Sequence, residues 1–297
     1  MPNYKLILQY DGSRYRGWQR LSDTDMTIQG KTETVLSRVF GEPVEVQGSG
    51  RTDAGVHALG QVASFHTLRD LPPGELLAAL RQYLPEDVGA VSVEYAPPRF
   101  HARLSAVEKT YRYRVWTTEA PCVFERRFVY VLPGTYSIPA MEAAARLLEG
   151  THDFRAFSAV KTKKSTRRTL SRIEIRQVGN ELRFDLTADG FLHHMVRILT
   201  GTLLEVGRGE RSPAEAAALL EAGDRAAAGF TVPARGLCLM EVRYLETDSR
   251  FGCPHPPLVS GNEKGTMWAS SPADRQFAGQ SRSAGKLSAK NEKVKLL

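Results

Sequence analysis

The segment that says most about the fold is a glycine-rich loop that leads into a strand, residues 48–66, with the sequence GSGRTDAGVHALGQVASFH. Residues 61–67 have the alternating pattern that is typical of a half-buried strand. Three glycines in the loop permit backbone angles and close approaches that other residues resist. The loop carries one carboxylate, Asp53, and Arg51 stands two residues before it. A charge-assisted contact between these two side chains would hold the carboxylate ionised.

Two interpretations of Asp53 are open at this point. Asp53, Ala54 and Gly55 form a good turn sequence, because Asp hydrogen-bonds to its own backbone and Gly takes a positive φ. An ionised carboxylate fixed in a cleft is also a candidate nucleophile or base. The segment has neither the Gly-Lys-Ser/Thr ending of a phosphate loop nor the Gly-x-Gly-x-x-Gly fingerprint of a dinucleotide site.

The elements around this loop predict an α/β fold. Their order in the first part of the chain is β-α-β-β-α-β, which is typical of a ferredoxin-like unit. The first helix is expected to be capped by Thr27, to bury Ile28, Thr32, Val35 and Val39, and to end at Gly41. The predicted elements are a strand at 4–10, this first helix, strands at 43–47 and 61–67, a helix over 76–84 and a strand at 88–93.

The second part of the chain repeats this plan. A hairpin is expected around Gly179-Asn180, and Ser212 to Glu215 reads as a capping box. The predicted elements are strands at 107–117 and 127–132, a helix from Ser137 to Leu148, strands at 166–178 and 181–188, a helix over 191–206, a helix ending at Gly223 and a strand at 237–245. The sequence therefore predicts two α/β halves of similar plan, residues 1–103 and 104–248.

The charge of the chain is unevenly distributed. The 297 residues carry a net charge of +7, and residues 248–297 account for +4 of it with eight basic and four acidic side chains. Residues 249–297 are rich in polar residues and have no apolar periodicity, which predicts a disordered basic tail. The remaining body is only mildly basic, so a nucleic-acid site is expected to be a localised patch.

Cysteine usage and the apolar pattern indicate a soluble cytoplasmic protein. The three cysteines, at 122, 238 and 253, have no metal-site spacing, and such a sparse, odd count favours reduced thiols. The first residues do not form a signal peptide, and no apolar run reaches the roughly 18 residues of a membrane helix.

Seven further motifs, in a fixed order, carry a family resemblance. They are YDGSRYRGWQ at 10–19, TIQG at 27–30, FHARLSA at 100–106, KTYRY at 109–113, GTHDFRAF at 150–157, GFLHHMVR at 190–197 and PARG at 233–236. Together with the loop at 48–58 they resemble the tRNA pseudouridine synthase A family over roughly residues 4–245. The resemblance implies two ferredoxin-like or RRM-like halves in one extended, mainly antiparallel mixed sheet, with an active-site cleft between the halves.

The resemblance also assigns catalytic residues. Asp53 is implied to be the nucleophile, assisted by Arg51, and Arg197 is implied to pair with Asp53. Tyr111 is implied to stack on the target uracil and to move the proton from C5. On alternation alone Tyr111 is typical of a sheet-face aromatic residue, and Arg197 is typical of a solvated helix face.

Candidate RNA-binding residues come from two basic and aromatic clusters, at 13–20 and 161–168, and from the loop at 48–58. The alternative for the run at 161–168 is a solvated lead into a hairpin. The RNA-binding candidates are His57, Arg14, Gln19, Lys163, Lys164 and Arg167. No metal site is expected, because His193 and His194 would point about 100° apart on a helix and could not chelate one ion.

The resemblance implies that the function is isomerisation of uridine to pseudouridine at positions 38, 39 and 40 of the tRNA anticodon stem-loop. The resemblance implies a homodimer that binds tRNA and needs no metal, nucleotide or other cofactor. The alternative is a non-catalytic RNA-binding or remodelling protein of ferredoxin-like fold. That alternative lacks the aromatic RNP pattern of such modules and gives Asp53, Tyr111 and Arg197 no purpose.

Overall fold

The computed structural model describes residues 1–245, which form one open, mixed sheet of ten strands with five helices packed on it. The strands are β1 Asn3–Tyr10, β2 Gln47–Gly48, β3 His57–His66, β4 Val88–Tyr95, β5 Ala106–Trp116, β6 Tyr130–Val131, β7 Gly150–Asp153, β8 Arg167–Val178, β9 Glu181–Ala188 and β10 Leu237–Tyr244. The helices are α1 Ile28–Phe40, α2 Pro73–Tyr83, α3 Ile138–Leu148, α4 Met195–Gly207 and α5 Pro213–Ala222. The predicted fold class is confirmed, and the tail predicted for residues 249–297 lies outside the described residues.

The last strand lies in the middle of the sheet. The strand order is β4-β1-β3-β10-β5-β9-β8-β7, with β2 paired to β3 and β6 paired to β5. β10 runs parallel to β3 and antiparallel to β5, and Cys238 lies opposite both His57 and Arg112. Strands from residues 3–95 therefore lie on one side of β10, and strands from residues 106–188 lie on the other. The division into domains at residue 103 stays a prediction.

The core of the first half is built from one face of β1 and one stripe of α1. Tyr4, Leu6 and Leu8 alternate along β1 and are fully buried, and Tyr4 stacks on Phe65 with ring centroids 5.2 Å apart. Each such side chain contributes about 1.5–3 kcal/mol when it is removed from water. On α1 the fully buried positions are Ile28, Thr32 and Leu36, whereas Val35 and Val39, expected on the same face, are only half-buried.

The helix limits predicted from capping residues are confirmed. Thr27 accepts a hydrogen bond from the Gly30 N–H, and Gly41 ends α1 with a φ of 71°. Ser212 and Glu215 form the reciprocal bonds of a capping box, and Gly223 ends α5 with a φ of 64°. These signals are reliable because each satisfies backbone groups that the helix itself leaves unpaired.

Two predicted strands are much shorter in the structure. Of residues 43–48, only Gln47 and Gly48 pair with β3. The backbone of Val46 forms hydrogen bonds with side chains of α1 instead of with a strand. The Val46 N–H donates to the Glu33 carboxylate at 3.0 Å, and Gln29 Nε2 donates to the Val46 carbonyl at 3.2 Å. Of residues 127–132, only Tyr130–Val131 pair, parallel to β5.

The helices are short. α1 and α4 have 13 residues each, or about 20 Å at 1.5 Å per residue. Among residues 1–245, no helix has the length and apolar character needed to cross a membrane.

Candidate active site

The loop before β3 folds as a turn that carries Asp53. The Val56 N–H donates to the Asp53 carbonyl at 3.1 Å, and Gly55 has a φ of 78°, in the left-handed region that favours glycine. This backbone bond closes the turn, so the Asp53 carboxylate remains for other partners. Its side chain is 26% exposed. The turn interpretation is therefore correct for the backbone and compatible with a chemical role for the side chain.

The N-terminal segment holds this turn from behind. The Trp18 N–H donates to the Thr52 carbonyl at 3.0 Å, and the Gly55 N–H donates to the Tyr15 carbonyl at 3.3 Å. Gly17 has a φ of 95°, and a Cβ added there would lie 2.6 Å from the Thr52 carbonyl oxygen. The segment can pack this closely only because Gly17 has no side chain.

Three basic side chains converge on the Asp53 carboxylate. Arg197 Nη1 and His194 Nε2 each lie 3.3 Å from Oδ2, and His193 Nε2 lies 3.7 Å from Oδ1. The ion pair expected between Arg197 and Asp53 is present. The Arg197 guanidinium is fixed by a second bond, from Nε to the Val232 carbonyl at 2.8 Å.

The two histidines do not lie on a helix, contrary to the prediction. α4 begins at Met195, and His194 has a φ of 62°, the only positive φ of a non-glycine residue in residues 1–245. The two imidazole rings stack with centroids 3.8 Å apart. The prediction that these adjacent side chains cannot reach one ligand is therefore wrong.

The convergence also bears on metal binding. Ligand atoms of Asp53, His193 and His194 lie within 4.8 Å of one another, and this donor set suits a divalent transition metal. The Arg197 guanidinium, 3.3 Å from the same Asp53 oxygen, opposes a second cation there. Burial lowers the pKa of His194 below its ordinary 6.5, against the opposing effect of the Asp53 carboxylate. The His194 ring is therefore neutral at pH 7.

The contact expected between Arg51 and Asp53 is absent. The Arg51 side chain is exposed and lines the same cavity as Asp53, but it makes no ion pair with any residue in the range 1–245. Arg197, 144 residues further along the chain, forms the ion pair with Asp53 that was expected of Arg51. The Arg51 guanidinium is left facing the cavity.

Tyr111 lies in β5 and faces this cavity, which has a volume of about 330 Å³. Its side chain is only 7% exposed, and its ring packs edge-on against Phe191 with centroids 5.2 Å apart. Burial raises the pKa of the Tyr111 hydroxyl far above 10, and Tyr10 and Asp53 act in the same direction. The hydroxyl is therefore protonated at neutral pH. Tyr111 is at once a core residue and a wall of the cavity.

His57 is a structural residue, and the expectation that it contacts RNA is wrong. Its ring is 1% exposed. The Gly12 N–H donates to Nδ1 at 3.0 Å, and Nε2 lies 3.1 Å from the Arg127 carbonyl oxygen. The ring joins β3 to the N-terminal loop and presents no surface to a ligand.

The other candidate RNA contacts lie near the surface. The Arg14 side chain is 71% exposed and lies 3.5 Å from Asp87, while Gln19 is half-buried. The basic loop before β8 is adjacent to the site, because the Ala159 N–H donates to the His193 carbonyl at 3.0 Å. The exposed cations of this loop are Lys161, Lys163 and Lys164, and Arg167, the first residue of β8, is exposed as well.

Three residues at the cavity received no role from the sequence. His194 touches Asp53, while Lys109 and Arg103 line the cavity beside Tyr111. The one signal available was that all three lie inside motifs that carry the family resemblance.

Comparisons with known proteins identify the family of this chain. A family model described as tRNA pseudouridine synthase matches residues 6–104 and 144–245, which include Asp53 and Arg197, and this defines the class of protein. The tRNA pseudouridine synthases A of Bacillus sp. (strain KSM-64) and of Moorella thermoacetica are 45% and 44% identical to this chain, each over 82% of it and 100% of their own length. The enzyme of the same name from Geobacillus kaustophilus is 46% identical over 81% of this chain and 93% of its own length.

The chain therefore belongs to the tRNA pseudouridine synthase A family, whose members are isomerases that act on uridine in tRNA. The family model matches most of the described residues, and the relatives match along nearly their whole length. The non-catalytic RNA-binding alternative is not favoured.

Proposed function

We propose that this protein converts uridine to pseudouridine at positions 38, 39 and 40 of the tRNA anticodon stem-loop, with Asp53 as nucleophile. The observation that carries the proposal is the meeting of three distant segments at one cavity. Asp53 Oδ2 lies 3.3 Å from Arg197 Nη1, and Tyr111 lines the same cavity. A carboxylate held in this way is fixed in position by a charge-assisted contact, as a nucleophile must be.

The reaction is an internal rearrangement whose atoms balance without a co-reactant. The bond between ribose C1′ and uracil N1 breaks, the base rotates, and a bond forms between C1′ and C5. C5 loses a proton and N1 gains one. The proposal therefore includes no metal, nucleotide or redox cofactor.

Each side chain at the cavity has a proposed task. Asp53 attacks either uracil C6 or ribose C1′, or assists through a glycal. Arg197 keeps the carboxylate charged and fixes its direction. Tyr111 stacks on the uracil. Its protonated hydroxyl accepts the C5 proton while it donates its own proton to a second acceptor. The target nucleotide must leave its stack to reach a carboxylate in a cavity.

The proposed RNA contacts are made by exposed cations beside the site. Lys163 and Lys164 on the loop before β8 and Arg167 at its first position, together with Arg14 and Gln19, are proposed to contact the tRNA backbone. The protein is further proposed to act in the cytoplasm as a homodimer, with one tRNA spanning both subunits.

The direct test is tritium release from tRNA that contains 5-tritiated uridine. The wild-type protein should release tritium, and mapping should place pseudouridine at positions 38–40. Asp53→Asn should fold, bind tRNA and release none. Asp23→Asn, which removes an exposed carboxylate outside the site, is the matched control and should behave like the wild type. Normal turnover by Asp53→Asn would remove Asp53 from the mechanism, and an inactive wild type would refute the function.

A further inference from the structure

We propose that Arg103, Lys109 and Arg168, here called the cation triad, form a binding site for a phosphodiester of the substrate RNA at the rim of the Asp53 cavity. The inference rests on the proposed function and extends it, because it names the groups that hold the RNA backbone beside the target uridine. The triad draws on three separate parts of the chain: the segment before β5, β5 itself, and the start of β8.

The triad lies beside the reacting groups. Arg103 and Lys109 line the same cavity as Asp53 and Tyr111. Lys109 Nζ donates to the Ser49 carbonyl at 2.6 Å. A Cβ added at Gly50 would lie 3.4 Å from Lys109 Nζ and 3.9 Å from the Tyr111 hydroxyl oxygen, so both groups flank the same glycine.

Arg168 lies beside the segment that leads into the cavity wall. Lys109 in β5 is paired in register with Ala188 of β9. The chain then turns at Gly190, where an added Cβ would lie 3.5 Å from Arg168 Nε. The next residue, Phe191, lines the cavity. The Arg168 side chain therefore lies over the segment that forms the cavity wall.

No member of the triad has a carboxylate partner within residues 1–245. Lys109 bonds to a backbone carbonyl, and Arg168 Nη1 bonds to the carbonyls of Ser165 and Arg167. Arg167, next to Arg168, likewise has no ion pair within residues 1–245, whereas three other cations, of β5, β8 and β10, are neutralised. Their pairs are Arg112 with Asp185, Arg172 with Glu174, and Arg243 with Glu108. The unpaired charge of the triad thus lies beside the cavity and is continuous with the exposed cations at 161–167.

The three positive charges of the triad repel one another, and a bound anion would offset this repulsion. Partial burial, reinforced by the charges of Arg103 and Arg168, lowers the pKa of Lys109 to about 8. A residue in a cavity whose pKa is shifted by burial and by specific neighbouring charges is a candidate for a functional site. Two guanidinium groups and one ammonium suit the oxygens of a phosphate, because a guanidinium presents a planar fork of donors and an ammonium presents a compact charge.

The RNA backbone is the source of anion that fits this position. A uridine that enters the cavity to reach Asp53 and Tyr111 brings its own phosphodiesters to the cavity rim, because base and phosphate belong to one nucleotide. Binding there would orient the ribose toward Asp53, and it would add a sequence-independent contact next to the chemistry. Free phosphate offers similar oxygens without this tether, and the experiment separates the two.

The test measures the affinity of full-length protein for tRNA as a function of salt. All variants carry Asp53→Asn, so that the RNA is not consumed. Arg103→Gln and Arg168→Gln each remove one exposed or half-exposed charge, and Lys109→Gln is checked against the charge-conserving Lys109→Arg. Arg172→Gln, which removes an exposed charge already paired with Glu174, is the matched control.

Each of the three glutamine variants of the triad should weaken tRNA binding roughly tenfold, as for a lost charged hydrogen bond, and should flatten the salt slope by roughly one unit. Lys109→Arg should retain most of the affinity, and the control should change neither quantity. Melting curves verify that each variant is folded. A salt slope in Arg103→Gln and Arg168→Gln that matches that of Arg172→Gln would overturn the inference.

Inorganic phosphate separates the two sources of anion. At constant ionic strength it should displace tRNA no better than chloride does. Stronger displacement that the triad variants abolish would assign the triad to free phosphate and would overturn the proposal. Pseudouridine formation by the protein with Asp53 intact is scored separately. Loss of that activity alone would refute the proposed function, while the salt-slope result would still decide the triad.

Discussion

At the scale of single residues, the site is organised by which side chains surround Asp53 and by their charge. Arg197 is a permanent cation, whereas His194 at the same distance from Oδ2 can change its charge near neutral pH. His194 also has a left-handed backbone conformation, which is costly for a histidine and is found mainly at functional sites. These two properties make His194 the residue through which pH should act on the carboxylate.

The rate of the chemical step should fall as the pH drops through the pKa of His194, which burial places below 6.5. Below that pKa the ring becomes a cation 3.3 Å from Asp53 and holds the carboxylate more tightly in the ground state. His194→Asn keeps a residue that tolerates the left-handed conformation but cannot titrate. Single-turnover rates between pH 5 and 8 should show this acid limb in the wild type and a weaker one in the variant. Identical profiles would show that His194 does not control the reaction.

Tyr111→Phe separates the two tasks proposed for Tyr111. The phenyl ring retains the edge-on packing against Phe191, so the variant should fold and bind tRNA like the wild type. Turnover should fall by about 10²–10⁴, the usual contribution of a positioned proton-transfer group. Tritium release and tRNA affinity measure the two effects. Full activity in the variant would leave the tyrosine with stacking alone.

At the scale of elements, the turn that carries Asp53 depends on the segment that packs behind it. Gly17 accepts the close approach of Thr52, and Gly12 does the same for Val56, whose carbonyl oxygen would lie 1.9 Å from an added Cβ. Backbone bonds from Trp18 and Gly55 complete the contact between the two segments. The first motif of the chain thus positions the second.

Gly17→Ala should destabilise the protein by at least about 2 kcal/mol, because it combines left-handed strain with a backbone clash at 2.6 Å. Activity should fall as well, since the clash displaces the turn that carries Asp53. Gly74→Ala is the control: it lies in the first turn of α2 with nothing within 4 Å of the added Cβ, and it should be neutral or stabilise by about 0.5–1 kcal/mol. Urea unfolding midpoints measure both variants. Equal midpoints would mean that the two segments are not coupled.

How far the sequence predicts these elements depends on how local the interactions are. Thr27, Gly41 and the capping box at Ser212 were predictable because each acts within one helical turn. The prediction of a strand at 43–47 was wrong because the side chains of Glu33 and Gln29, which lie in α1, bind the backbone of Val46.

The site shows the same division between local and distant interactions. The turn at Asp53 was readable from its own residues. Arg51 was the nearest cation in sequence, but Arg197 is the partner in space, and only the family resemblance indicated it. The stacking of His193 on His194 follows from one backbone angle that no sequence pattern encodes.

At the scale of the whole molecule, β10 joins the strands that carry the two parts of the site. Asp53 precedes β3, Tyr111 lies in β5, and β10 pairs with both strands. Cys238 and Leu239 of β10 are completely buried. Without this strand β3 and β5 would each have an open edge, and the distance between Asp53 and Tyr111 would not be fixed.

A chain ending at residue 236 should therefore be insoluble or inactive, because two long strand edges would be exposed. A chain ending at residue 248 keeps β10 and loses only the basic tail, which removes a net charge of +5. This second chain should keep nearly full activity. Soluble yield and tritium release measure both. Activity in the shorter chain would show that β10 is dispensable, and a large loss in the longer one would assign tRNA contacts to the tail.

The central place of β10 also matters while the protein is being made. About 120 residues separate the end of β5 from the start of β10. A ribosome that adds about 5–20 residues per second therefore leaves the edges of β3 and β5 that will pair with β10 open for roughly 10 s. During that interval each nascent chain offers bare edges to its neighbours on the same messenger RNA. Asp53 and Tyr111 cannot take up their final spacing until translation is almost complete. Premature termination would thus yield no partly active fragment, and the burden on chaperones should increase with the rate of expression.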